Sequence, residues 1–274
     1  MMVTGPAGEP QRFARGVSRY GGVLLEAARD ALGLVEVVRH GRRRSLHFGS
    51  AVEQASHLPE APDRLQFGYS RDLVLGTIFP PAAEQVLLLG LGAGTVARYL
   101  LCHSGEGLRL DAVEYREIVA DMAFRHFDLP VDPRLEIYIA SAGHYLDVVE
   151  TRRDVILVDL YDADGMNAEA QRWSFLESCR ARLAPDGVVA INLWRTDPAA
   201  FAFMLAQLRE LFGTGLLRVD ADDANSVVYC FAAGPPSLRD PVVRARLLRR
   251  VEALGFAGEA FLRRLFPVGE KTEN

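Results

Sequence analysis

The spacing of apolar and polar positions changes several times along the chain, and each change predicts an element. Leu34-Val35-Glu36-Val37-Val38-Arg39-His40 and Ser45-Leu46-His47-Phe48 are β-rich runs separated by Gly41 and arginines, the pattern of a hairpin. Met1 to Arg19 mixes Gly, Pro and Arg without a period and reads as a loose leader, and Gln54 to Arg64 reads as loop. Tyr69 to Phe79 has helical spacing and stops at Pro80-Pro81. From Glu84 the texture changes. Val86-Leu87-Leu88-Leu89 and Asp154-Val155-Ile156-Leu157-Val158 are the continuous apolar runs of strands buried on both faces. Further strands are predicted over Leu108–Val113, Leu135–Ile139, Val188–Ile191, Gly215–Val219 and Ser226–Phe231, the last two antiparallel. Helices are predicted over Thr95–His103, Ile118–Phe127, Trp173–Leu183, Pro198–Phe212, Pro241–Leu254 and Glu259–Leu265.

Strands alternating with helices in this way mean βαβ units. The expected class is α/β: a mostly parallel seven-stranded sheet with helices on both faces, preceded by a small β-rich region. The expected division is residues 1–66 for the leader and hairpin region and residues 67–274 for the larger domain. No internal repeat or low-complexity segment interrupts the pattern.

Composition narrows the function classes. With 274 residues, 49% of them apolar, the chain can bury a full core, which excludes disorder as its dominant state. The longest nearly apolar run, Val86 to Ala97, is 12 residues, against roughly 20 for a membrane span. Met1 to Glu9 lacks the basic and apolar regions of a secretory signal. Cys102, Cys179 and Cys230 are isolated and odd in number, which points to a reducing compartment, so the expectation is a soluble cytoplasmic protein. A net charge of −5 argues against nucleic-acid binding, and Arg39, Arg42, Arg43 and Arg44 read as a solvated hairpin tip. All basic residues but Lys271, in the polar tail, are arginine, which leaves no ordered lysine for a Schiff base or a P-loop. The six histidines show no metal-ligand spacing, so no metal is expected. No Gly-x-Ser-x-Gly elbow is present.

The candidate chemistry lies at the strand ends. Gly90-Leu91-Gly92-Ala93-Gly94 follows the first buried strand and opens a helix, where glycines let the backbone approach a ligand and free amides await one. Glu114 ends the next strand, 20 residues after Gly94, where an acid grips ribose hydroxyls in nucleotide-binding α/β folds. The G-x-G-x-G spacing lacks the later glycine of dinucleotide binders and favours an S-adenosyl compound over NAD. The fourth strand ends in Asp159-Leu160-Tyr161-Asp162-Ala163-Asp164-Gly165, at the sheet edge where parallel sheets bind ligands. Asp164 reads as a loop or capping residue. Asp159 and Asp162 read as functional, because crowded like charges call for a cation such as an amine. Tyr161 between them is expected to line the pocket, whereas Trp194 fits core packing equally well.

Together, the glycine turn, Val113-Glu114, the Asp-Val-Ile-Leu-Val-Asp-x-x-Asp strand and the Leu183-Ala184-Pro185-Asp186-Gly187 turn resemble the spermidine synthase (polyamine aminopropyltransferase) family over roughly residues 34–233. The resemblance implies a Rossmann-like fold of the S-adenosylmethionine-dependent methyltransferase type. It implies that Asp159 orients or deprotonates the attacking amine, that Asp162 holds the polyamine and that Glu114 binds the ribose. Gly90, Gly92, Gly94 and Ser141 would then line the nucleoside site, and Tyr69 would assist at the amine. The chain departs from the family at Ala93, where an Asp is usual in the glycine turn, and at Ala140-Ser141-Ala142, where Gly-Asp is usual. It also departs at Gly68-Tyr69-Ser70 in place of Tyr-His-Glu, and at Leu160-Tyr161 in place of serines. The implied activity is aminopropyl transfer from decarboxylated S-adenosylmethionine to a small-molecule amine, in a homodimer. Two alternatives stay open: methyl transfer from S-adenosylmethionine, and a non-catalytic homologue that only binds nucleoside or polyamine.

Overall fold

The N-terminal region is a sheet rather than a leader with one hairpin. The computed structural model describes residues 11–12, 16–162, 165–213, 215–221 and 224–268; Ala163, Asp164 and Lys271 lie outside them. Strands β1 (Gly22–Asp30), β2 (Gly33–His40), β3 (Arg43–His47) and β4 (Glu53–His57) pair antiparallel in that order. The expected hairpin is β2–β3. Two corrections concern its neighbours. The leader contributes short strands Gln11–Arg12 and Ser18–Arg19, both paired with β1, and the segment expected as loop from Gln54 begins inside β4. Tertiary pairing overrides local composition here: the Leu-Leu-Glu-Ala-Ala-Arg stretch of β1 suits a helix, yet pairing with β2 buries Leu24, Ala27 and Ala28. The arginine cluster is also only partly solvated. Arg43 pairs with Glu53, and Arg44 donates to the carbonyl of His126 at 2.6 Å.

The larger sheet runs through β5 (Gln85–Leu89), β6 (Arg109–Glu114), β7 (Leu135–Ile139), β8 (Arg153–Val158), β9 (Leu183–Trp194), β10 (Leu217–Asp220) and β11 (Asn225–Phe231). Its order is β10-β11-β9-β8-β5-β6-β7, with the short strand Phe266–Pro267 added beside β10. The sheet therefore has eight strands rather than the expected seven, the extra one being a two-residue edge. Pairings from β9 to β7 are parallel, and β11 runs antiparallel to both β9 and β10. The central parallel strands β5 and β8 are buried on both faces. Val86, Leu88, Val155 and Leu157 meet α1 (Gly68–Val74), α2 (Thr95–His103), α7 (Pro241–Ala253) and α8 (Gly258–Arg264). Leu87, Leu89, Ile156 and Val158 meet α4 (Ala142–Val148), α5 (Trp173–Ala181) and α6 (Pro198–Phe212). Helix α6 starts where Pro198 predicts it, with Asp197 accepting from the amides of Ala199 and Ala200, each at 3.0 Å. Helix α4, which was not among the expected helices, turns Ala142, Tyr145 and Leu146 into the core, and at its start the Ser141 hydroxyl accepts from the His144 amide at 3.2 Å.

Helix α3 (Glu117–His126) ties the two regions together. Ile118, Val119, Met122 and Phe127 pack against Val35, Val37, Leu46 and Ala55 of the N-terminal sheet. Charges surround this contact. Arg116 forks onto Asp30 at 2.9 and 2.7 Å and onto the Gly33 carbonyl at 2.8 Å, and His126 meets the buried Glu26 at 2.7 Å. Among the described residues no helix is long and apolar enough to cross a membrane.

Candidate active site

The chain passes from β5 outward to β7 and returns to β8 on the other side of β5, so strand order reverses between β5 and β8. That is where open α/β sheets hold ligands. A cleft of about 640 Å³ opens there, walled on one side by the N-terminal sheet through Leu32, Phe48, Glu53 and Gln54.

The three glycines of the turn do different things. Gly90, at φ +96°, lies against the carbonyl of Asp159, where an added Cβ would sit 2.2 Å from the oxygen. Gly90 thus lets the ends of β5 and β8 close, and the Asp159 amide donates to Leu89 at 2.9 Å. At Gly92, φ +53°, a Cβ would meet no atom within 4 Å, because the backbone there faces the cleft. Gly94, at φ +72°, is the N-cap of α2 and packs on Leu129; it does not line the cleft. Ala93 does line it, and is buried among apolar residues of the N-terminal sheet and α3.

Glu114 is braced by backbone. Its Oε2 accepts from the Gly92 amide at 3.2 Å and its Oε1 from the Arg116 amide at 3.0 Å. Burial pushes its pKa up, and the N–H groups of Arg116, Gly92 and Leu91 oppose the shift. A carboxylate so held has lone pairs left for ligand hydroxyls, and it also shapes the turn. Glu114→Gln is expected to weaken methylthioadenosine binding at least about tenfold, since each charge-assisted hydrogen bond is worth about 1.5–3 kcal/mol. Calorimetry checks this, and an unchanged affinity would remove Glu114 from the ribose.

Asp159 lies at the floor of the cleft. Its Oδ1 accepts from Asn192 Nδ2 at 2.9 Å, and the Tyr69 hydroxyl is a second hydrogen-bond partner. Burial raises its pKa to about 6 against the pull of both partners. Two aromatic pairs flank it: Phe67 stacked on Tyr69 with centroids 5.7 Å apart, and Tyr161 tilted on Trp194 at 4.9 Å. Tyr161 donates to the Asn192 carbonyl at 3.0 Å; burial first, then the charge of Asp159, pushes its pKa up, so it is a donor and not a base. Asp162 is exposed at the mouth, where its carbonyl accepts from Gln54 at 3.4 Å.

Asp159, Asp162, Tyr161, Tyr69, Gly90, Gly92 and Glu114 therefore come together around one cleft. Ser141 is not among the residues that line the cleft; its hydroxyl accepts from the His144 amide at the start of α4. Asn192 and Asn225, which the sequence reading passed over, do: Asn225 Nδ2 donates to Asn192 Oδ1 at 2.8 Å. The one signal available for them was polar residues inside otherwise apolar strands. Away from the cleft, His40, His47 and Glu53 bring ligand-type atoms within 4.8 Å of one another on the N-terminal sheet, a grouping their sequence spacing does not announce. Glu53 is paired there with Arg43, and the His47 ring lies between the Ser45 hydroxyl and the carbonyls of Ser50 and Val52.

The family model of the spermine/spermidine synthase domain matches residues 66–192. A polyamine aminopropyltransferase of Neisseria meningitidis is 30% identical over 77% of this chain and 81% of its own length. In fold, the chain is similar to the spermidine synthase of Thermotoga maritima, with a TM-score of 0.62, 18% identity and coverage of 78% of this chain and 74% of that one. It is similar also to human methyltransferase-like protein 13, with a TM-score of 0.57, 21% identity and coverage of 75% and 96%. The fold is thus the Rossmann-like methyltransferase type, and the chain belongs to the polyamine aminopropyltransferase family.

Proposed function

We propose that the chain transfers an aminopropyl group from decarboxylated S-adenosylmethionine to a small-molecule amine, as in polyamine biosynthesis. The carrying observation is Asp159: an acid lining the cleft beside two aromatic pairs, in the same cleft as the glycine turn and Glu114. The residues fit both substrates. Gly92 and Glu114 suit a nucleoside, and the aromatic pairs beside Asp159 suit the carbons and charge of an amine. Family membership points the same way.

The amine nitrogen attacks the propyl carbon bonded to sulfur. The C–S bond breaks with its electron pair on sulfur, methylthioadenosine leaves neutral, and the nitrogen gives up a proton to Asp159 or to solvent. A sulfonium needs no acid to leave, so the chain supplies position and a deprotonated nitrogen. With a pKa of about 6, Asp159 is ionised at neutral pH. It accepts a hydrogen bond from the nitrogen and aims its lone pair. The amine's own pKa is near 10, so Asp159 selects and orients the neutral fraction. Tyr69 holds the carboxylate on one side and Asn192 on the other.

Asp162, exposed at the mouth, suits a more distant ammonium. Asp162→Asn is expected to raise the KM for a diamine about three- to tenfold with kcat nearly unchanged, the scale of a partly solvated ion pair. Equal KM values for wild type and variant across di- and polyamines would remove it from the amine. The three cysteines are free. A reducing cytoplasmic setting, a homodimer and chemistry without a metal complete the reading. The function itself is tested by product analysis with a panel of amines and both donors. Methylthioadenosine release supports aminopropyl transfer, S-adenosylhomocysteine supports methyl transfer, and neither product supports binding alone.

A further inference from the structure

We propose that Asn225 is a positioning residue: by donating to Asn192 Oδ1 it locks the Asn192 amide in the one orientation that donates to Asp159, and so holds Asp159 as a carboxylate facing the cleft. The inference rests on the reading of Asp159 as the acid that meets the amine.

An ionised carboxylate only accepts hydrogen bonds, so the group 2.9 Å from Asp159 Oδ1 must be the amide NH₂ of Asn192. Turned by half a rotation, the same side chain would set its carbonyl oxygen against the carboxylate. Rotation of a terminal amide is soft, so something must select between the two states. Asn192 is 2% exposed, which leaves little water to do it. The selecting contact is Asn225 Nδ2, 2.8 Å from Asn192 Oδ1, in a residue that is itself 7% exposed. Strand register explains the meeting. Asn192 lies opposite Val227 and Trp194 opposite Asn225, so Asn225 is the diagonal neighbour of Asn192 on one face of the β9–β11 pair. The relay Asn225–Asn192–Asp159 runs from a central antiparallel strand to the cleft floor.

The other titratable groups that line the cleft with Asp159 are Tyr69 from α1, Tyr161 and Asp162 on its own loop, Glu114, Tyr115 and Arg116 from the end of β6, and Glu53 from the N-terminal sheet. Loss of the donor at residue 225 frees the Asn192 amide to turn and removes a hydrogen bond that favours the charged form. The proton affinity of Asp159 then rises.

The experiment uses full-length Asn225→Leu, similar in size but without a donor, with Val227→Ala on the same strand as the control for general loosening. Asn225→Ala replaces the leucine variant if that one does not fold. The carboxyl carbon of Asp159 is titrated by NMR in the empty protein, assigned through Asp159→Asn, and kcat is measured at pH 6 and pH 8.5. The expected result is a titration midpoint about one pH unit higher at Asn225→Leu and unmoved at Val227→Ala. With it, kcat falls about three- to tenfold at pH 6 and is near wild type at pH 8.5, and the methylthioadenosine Kd holds. An unmoved midpoint, or an equal shift in Val227→Ala, overturns the assignment. Because the titration needs no turnover, an inert wild type would overturn aminopropyl transfer while the midpoint still decides the role of Asn225.

Discussion

Asp159→Asn is expected to lower turnover about 10²–10⁴-fold, the range for loss of a positioned acid–base group, while methylthioadenosine affinity stays near wild type. The change keeps the shape of the side chain and its contacts with Asn192 and Tyr69, but removes the charge that meets the reacting nitrogen. An interaction with the reacting atom shows in kcat, whereas one with a remote part of the substrate shows in KM. The same substitution is expected to stabilise the empty protein in a pH-dependent way. The folded-state pKa of Asp159 is raised from 3.8 to about 6. Its contribution to stability is therefore fully present below about pH 4 and lost as pH rises through about 6. At pH 8 the buried charge costs about 1–3 kcal/mol, which the asparagine does not incur. Melting curves should coincide for wild type and variant near pH 4 and separate in favour of the variant by pH 8. A variant less stable at every pH, with turnover falling only in proportion, would mean that Asp159 is structural.

The second large effect is expected at Gly92. A valine side chain there would project into the cleft, and an overpacked contact costs about 1–3 kcal/mol, or about ten- to a hundredfold in nucleoside affinity. At φ +53° the substitution also carries backbone strain, about 1–2 kcal/mol for a left-handed residue, so the melting point should fall as well. Gly92→Ala separates the two effects, because it shares the strain and projects by only one carbon. Binding lost in Gly92→Val and largely kept in Gly92→Ala identifies the close approach of a ligand. Equal loss in both would make the turn a connection whose distortion alone disables the site.

Much of this was legible because the physics is local. Val86–Leu89 and Val155–Val158 are apolar without alternation since helices cover both faces, and no other environment suits such runs as well. Pro198 and Pro241 mark the starts of α6 and α7 through the amide that a first-turn residue does not use. What stayed hidden depends on partners distant in sequence. Strand β1 has helix-like composition and exists because β2 and α3 bury it. The Asn192–Asn225 contact follows from the register of β9 on β11, set by seven paired residues rather than by either asparagine. Ser141, which the family pattern suggested as a ligand contact, accepts from the His144 amide at the start of α4, a local role that the pattern does not announce.

Among the described residues that line the cleft, Arg116 is the one basic side chain, and it is forked onto Asp30 and the Gly33 carbonyl. A sulfonium donor is an alkylating agent toward any neutral nitrogen held near it. A lysine in this position would spend part of its time as a free amine and compete with the substrate for the transferred group, modifying the catalyst irreversibly. A guanidinium stays protonated across the working pH range and its nitrogens have no lone pair to offer. With the sulfonium donor proposed above, a guanidinium at this position would carry positive charge in a form the donor does not alkylate.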